Sequence, residues 1–157
     1  MPIQRLFRRL ALLCATCLLT LVSACHIRAT QANGVTLPQG WRPYFQPSVS
    51  GAFLRPGAHN VAMLVRNEEQ HLSGVLVLTF VDDSGTASVI KTFKEDDTNP
   101  PKLSLLQPGN YRPACHQGGP CQPTHIANEA ISLCFGEASC AILYAEGDSF
   151  RELAVSD

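Results

Sequence analysis

Residues 75–81 read Val75-Leu76-Val77-Leu78-Thr79-Phe80-Val81, set between Gly74 and the turn formers Asp82-Asp83-Ser84-Gly85. β-Branched and aromatic side chains suit a pleated strand, whereas Gly, Asp and Ser supply turn conformations. The run is therefore expected to be a strand. The same grammar repeats outward from it. Before it, 67–74 is a polar turn and Val61-Ala62-Met63-Leu64-Val65 a short apolar strand. After it come a strand candidate over 88–93, a charged loop with prolines over 94–102 (KEDDTNPPK), and a short run over 103–106 that stops at Pro108-Gly109-Asn110. Strands over 131–135, 140–144 and 150–155 complete the set. Turn signals recur at roughly 8–12-residue spacing, and no long window keeps a helical period. The pattern predicts an all-β fold, a small antiparallel sheet or sandwich.

The chain has 157 residues, a formal charge of −1, 45% hydrophobic and 16% charged residues. That composition excludes a disordered chain and allows one domain. It supplies no basic field to hold nucleic acid. The charges are unevenly placed. Arg5, Arg8 and Arg9 are 3 of the 12 basic residues and all 13 acidic residues follow them, so the remainder holds 9 basic against 13 acidic residues, a formal −4. Residues 10–24 (LALLCATCLLTLVSA) form a 15-residue apolar run that ends in small residues. A basic start, a short apolar core and a small-residue end make a secretory signal, and the run falls short of the roughly 20 residues of a membrane-spanning helix.

Val22-Ser23-Ala24-Cys25 closes that run. The order, an aliphatic residue, two small ones and a cysteine, resembles the lipobox of bacterial lipoproteins. The resemblance implies that 1–24 is a signal peptide and that Cys25 is lipidated on sulfur, becomes the new N-terminus and is then N-acylated. His26 in the next position implies, by analogy with known sorting, the outer membrane. Each buried CH₂ contributes about 0.8 kcal/mol and one chain anchors only marginally, so several chains on one cysteine hold a domain at a membrane without a helix. A plain signal peptide followed by an unrelated cysteine is the alternative. Cys14 and Cys17 fall in the discarded segment. Residues 25–40 then read as the lipidated Cys and a polar tether, and 41–157 as a single β domain.

Cys115, Cys121, Cys134 and Cys140 remain. An even number in an exported domain implies disulfides, and four cysteines allow three connectivities. The spacing favours the local pairs: Cys134 and Cys140 flank the hairpin-like FGEAS, and Cys115 and Cys121 bracket the flexible HQGGP. Each closed loop should contribute roughly 2–3 kcal/mol. The rival is a zinc set of Cys115, His116, Cys121 and His125. It lacks the short C-x₂₋₄-C knuckle, and an oxidising compartment drains thiols into disulfides. No metal and no cofactor are expected.

Neither a G-x-S-x-G elbow nor an H-E-x-x-H motif is present, so no catalytic residue is assigned and no enzyme is expected. His59 and His71 read as surface residues of turns, and His125 as a hydrogen-bonded structural residue. Glu68-Glu69, Asp82-Asp83 and Glu95-Asp96-Asp97 read as solvated loop charge. The densest aromatic cluster is Trp41-Arg42-Pro43-Tyr44-Phe45. Aromatics with Arg are what binding hot spots use. Trp41, Arg42, Tyr44 and Phe45 are therefore binding candidates, with Tyr111 at the start of the loop over 111–124. That loop and 94–102 are the candidate recognition loops.

Landmarks in order also resemble short secreted lipoproteins related to FG-GAP, or VCBS-type, repeat proteins. They are Leu37-Pro38, Gly40-Trp41, Gly51, Phe53, Asn60 through Val65, Pro108-Gly109, Tyr111, His125, Glu129 through Leu133, Ala138-Ser139, Tyr144, Gly147, Phe150 and Ser156-Asp157. The resemblance implies propeller-blade-like units, of which a chain this short holds about two. It also implies that 51–60 descends from an acidic calcium loop. Its ligand positions here are Ala52, Leu54, Pro56 and Asn60. Calcium needs six to eight oxygens, and only Asn60 still offers a side-chain oxygen, so the ion chemistry should be lost.

The expected function is a non-enzymatic binding module for an envelope protein or glycan, held to the membrane through lipid on Cys25 and facing the periplasm. The alternative is an inhibitor or immunity lipoprotein against a cell-wall hydrolase such as a lysozyme, to which an acidic domain is suited.

Overall fold

The computed structural model describes residues 31–32, 35–44, 48–81, 84–96, 99–114, 122–136 and 139–155, all within one compact unit, Gln31–Asp157. Its strands are β1 (Gln31–Ala32), β2 (Val35–Thr36), β3 (Arg42–Pro43), β4 (Val49–Gly51), β5 (His59–Asn67), β6 (Leu72–Val81) and β7 (Ser84–Lys94) in the first half. The second half holds β8 (Lys102–Leu106), β9 (Gly109–Tyr111), β10 (Thr124–Ile126), β11 (Ala130–Phe135), β12 (Ser139–Glu146) and β13 (Ser149–Val155). The fold is all-β, as expected. Each strand anticipated from the sequence is present, most of them a residue or more longer.

Beside the two-stranded pairs β1–β2 and β9–β10, the strands form two larger antiparallel sheets that repeat one plan. In the first sheet β4, β5, β6 and β7 follow one another as an up-and-down meander, with β3 beside β4 on the same edge of β5. In the second, β8, β11, β12 and β13 do the same, and the chain between β8 and β11 makes the detached hairpin β9–β10. Each sheet is thus built on a four-strand meander. The two sheets stack face to face with like strands together: Gly51 of β4 lies beside Leu105 of β8, and Lys91 of β7 pairs with Glu152 of β13. Ile90 of β7 has no partner opposite, since Val75 pairs with Lys91 and Leu76 with Val89. That bulge twists an edge strand and blunts it against pairing with other chains.

Burial follows from side-chain alternation. In β6, Val75 and Val77 point between the sheets and Leu76 and Leu78 point the other way, and all four are buried. A strand apolar on both faces needs cover on both. The inner face meets the core of Phe53, Ala62, Leu64, Ile131, Leu133 and Leu143. The outer face is covered by the chain from Val35 to Trp41, with Val35 only 1% exposed. Residues 35–40 therefore belong to the fold and not to a tether, and the domain begins before Trp41. Three apolar residues in a polar segment are too few to show as a periodic element. The outer face of the second sheet is covered by the β9–β10 hairpin, whose Ile126 packs on Ala130 and Ile142.

The registers define two ends. The upper end carries the 68–71 turn, the exit from β7, the start of β8, the β11–β12 turn and the end of β13. The lower end carries the start of β5, the β6–β7 turn, the end of β8 and the β12–β13 turn.

Candidate functional site

Both candidate recognition loops leave the sandwich at its upper end. The 94–102 loop spans from the end of β7 to the start of β8, and Lys102 is level with Cys134. The loop between β9 and β10 starts beside the end of β13, where Ala114 N donates to Ala154 O at 2.7 Å. Between the loops the two sheets are closed by side chains. Tyr44 N donates to Leu64 O at 2.8 Å, which holds the ring against the edge of β5. The Arg66 guanidinium lies over that ring, 4.6 Å from its centroid, and its Nε pairs with Glu95 Oε1. Behind them Phe93 and Phe135 meet edge to face at 5.0 Å and 88°, joining one sheet to the other. An ion pair with both side chains only 27% and 18% exposed gains more than a solvated one, because little water screens it. Asn99, Pro100 and Pro101 complete the wall.

The space enclosed there is about 20 Å³, little more than one water molecule. The upper end is thus a plugged surface, aromatic and ionic, with loops at its rim. Beside it an open cleft of about 460 Å³ is lined by Gln70, His71, Leu72, Lys94 and Glu95.

The sequence candidates do not meet in one place. Tyr44 sits in the upper plug. Trp41 packs on the outer face of the first sheet, over Gly74, where a Cβ would stand 3.1 Å from the ring. Arg42 is exposed on β3, opposite Arg66. Tyr111 lies on the far side of the molecule, in the hairpin over the second sheet, and its hydroxyl donates to Gln107 O at 2.5 Å. The linear cluster is split because successive residues turn from one face of a sheet to its edge and then inward. Phe45 lies outside the described residues, as do Cys25, Cys115 and Cys121.

Cys134 and Cys140 form a disulfide, with Cα atoms 4.1 Å apart at directly paired positions of β11 and β12. This is the local pairing expected from the hairpin. His125 Nδ1 is 3.0 Å from Asn110 Oδ1, its partner across β9–β10, in keeping with a structural residue. His59 and His71 are exposed. Glu95 is not solvated loop charge, because Arg66 captures it. Arg66 and Glu95 escaped the sequence reading because 29 residues separate them and only the registers of β5, β6 and β7 bring them together. Among the described residues no group of three His, Cys, Asp or Glu side chains is placed to hold a metal ion.

In 51–60 the Asn60 side chain is fully buried and organises the turn. Its Oδ1 accepts from Phe53 N at 3.0 Å and Leu54 N at 3.3 Å, and its Nδ2 donates to Thr79 Oγ1 at 3.1 Å. Glu129 Oε2 accepts from Ala52 N at 2.7 Å, and Asn128 Nδ2 donates to Leu54 O at 3.1 Å. These bonds hold the turn, and Phe53 fills the core beneath. Beside this turn, at the lower end, is an open groove of about 610 Å³ lined by Leu54, Arg55, His59, Phe80, Val81 and Asp148.

Compared with protein-family models, with curated proteins and with solved structures, the chain gives no match.

Proposed function

We propose that this chain is a lipid-anchored protein of the bacterial envelope whose β-sandwich binds an envelope protein or glycan and catalyses no reaction. One observation carries the reading: Val22-Ser23-Ala24-Cys25 stands where a basic start and a 15-residue apolar run end. Among the described residues no helix is long and apolar enough to cross a membrane. Lipid on Cys25 would supply the anchor, with the outer membrane as its site and the periplasm as the space it faces. Ten residues separate Cys25 from buried Val35, a reach of at most about 35 Å, so the domain would stay close to the membrane. Recognition is assigned to the upper end, where the 94–102 loop borders Tyr44, Arg66 and Glu95. The relation to FG-GAP repeat proteins, with a spent calcium loop, is part of this proposal and rests on the sequence landmarks between Leu37 and Asp157.

Cys25→Ser with cell fractionation tests the anchor. The variant should leave the membrane pellet and lose the mass of its acyl chains; a pellet-bound variant of unchanged mass would discard the reading. For recognition, the tagged protein is cross-linked in cells beside Tyr44→Ala and Pro100→Ala/Pro101→Ala variants. Adducts should fall at least tenfold in the variants, and adducts that persist unchanged would move the site elsewhere.

The formal −4 beyond the signal segment favours a second reading, an inhibitor or immunity protein with a basic hydrolase as partner. A panel of muramidases and amidases assayed with the protein tests it, and an absence of both inhibition and binding would remove it.

A further inference from the structure

The chain that covers the first sheet has a direction. Val35 lies against Gly85, where a Cβ would stand 2.4 Å from its Cγ2, and Gly85 pairs with Phe80 beside the lower turn. Farther along, Trp41 lies over Gly74, and Arg42 pairs with Arg66 near the upper end. This segment thus rises from the lower end to the upper. Before it, β1 pairs antiparallel with β2, which sets Gln31 opposite Thr36. The folded chain therefore starts at the lower end. Gln31 is six positions on from Cys25, so a fully stretched chain spans at most about 21 Å between them. From the level of Thr36 to the upper turn the sheet rises about 25 Å, at roughly 3.3 Å per residue. Lipid on Cys25 can hold the lower end at a bilayer, whereas the upper end would have to lift Gln31 beyond that reach to rest there.

The lower end also carries apolar surface. Among the described residues the exposed large apolar side chains are Val81 and Leu105, at 52% and 37%. Val81 ends β6, and Leu105 is next to last in β8, beside Gly51. The groove at this end sets Val81 with Arg55, His59 and Asp148, exposed residues of both signs. Arg55 can meet a phosphate and Asp148 an ammonium, the two charges of a zwitterionic headgroup. The formal −4 of the chain beyond residue 24 gives no pull toward an anionic surface.

We propose that the lower end rests on the headgroups of a zwitterionic bilayer, and that the sandwich stands with its upper end turned away. This rests on the lipid on Cys25 proposed above. The short tether brings the lower end down, and Val81 enters the boundary between headgroups and acyl chains. Tyr44, Arg66 and the 94–102 loop then face partners in the periplasm.

The test uses the lipidated protein in phosphatidylethanolamine–phosphatidylcholine vesicles whose lipids carry a doxyl quencher near the headgroup. Val81→Trp and Arg55→Trp each place a reporter at the lower end, and Glu69→Trp places one at the upper; the emission of Trp41 is subtracted with the unsubstituted protein. The quencher should lower emission at least about twofold from either lower reporter and leave that of Glu69→Trp nearly unchanged, since only side chains at the headgroup boundary come within its reach. Equal quenching at the two ends would overturn the orientation, as would stronger quenching at Glu69→Trp or none at the lower end. Flotation separates this from the anchor. The unsubstituted protein should float with the vesicles and Cys25→Ser should not; a protein that fails to float would overturn the anchor, and the orientation with it.

Discussion

The two outer faces of the sandwich present the same problem and are covered differently. Over the second sheet lies the β9–β10 hairpin, which is fixed at both ends, by β8 before it and β11 after it, and tied again by Ala114 N to Ala154 O. Over the first sheet lies a single strap, 35–41, which runs into β3 at its end and at its start, among the described residues, is held by pairing with the two-residue β1. Both place one residue 1% exposed against the sheet, Ile126 in the hairpin and Val35 in the strap. A cover held at both ends by a large sheet opens only when that sheet does, whereas one held at its start by a two-residue pair opens by itself at lower cost. In a stacked array the next unit would cover each of these faces. Here the chain supplies its own cover for each sheet.

Four experiments would break or sharpen that contrast. The largest effect is expected from Ile126→Ala, about 3 kcal/mol lost in denaturant unfolding with an unchanged slope, because the hairpin opens only with the whole domain. A loss under about 1 kcal/mol would mean that the hairpin is peripheral. Next comes the strap. A Cβ on Gly85 would lie 2.4 Å from Val35 Cγ2, so Gly85→Ala must displace Val35. The expected cost is about 2 kcal/mol, the burial of one valine. In a Val35→Ala background the same change should cost much less, since contacting residues are not additive. Equal costs in both backgrounds would show that Val35 is not what Gly85 accommodates.

The disulfide beneath the hairpin edge ranks third. Cys134→Ala/Cys140→Ala should lower stability by about 2 kcal/mol, the loop-closure value for so short a separation, with the fold retained. Failure to fold at all would show that the β11–β12 ladder cannot hold its register alone. The smallest effect belongs to Lys91→Ala. Its ion pair with Glu152 joins the sheets but is 32% and 42% exposed, so melting should shift by under about 0.5 kcal/mol. A larger loss would mean that the stacking of the two sheets relies on edge charge.

Much of the framework was legible before any coordinates. The 75–81 run, its flanking turns and the strands at 61–65, 131–135 and 140–144 follow from residue types that suit a pleated, buried surface. The Cys134–Cys140 pair was legible for the same reason: two cysteines equidistant from a turn fall opposite each other. The strap was not legible, because Val35, Leu37 and Trp41 act through a surface that forms from residues 20 or more positions away. Nor was the upper plug, in which Arg66 takes Glu95 from what looks like an ordinary acidic loop and lays its guanidinium over Tyr44.

By itself, then, the amino-acid order determined the all-β class, the position of most strands and the short-range pairing of Cys134 with Cys140, since each rests on side chains close together in the chain. Only the tertiary structure decided that the strands divide into two like meanders, that Val35 and Ile126 seal their outer faces, and that Trp41, Tyr44 and Tyr111 point to three different places. Those outcomes depend on which surfaces meet, and the apolar residues of β6, buried on both faces, can be satisfied only by partners that folding brings from elsewhere in the chain.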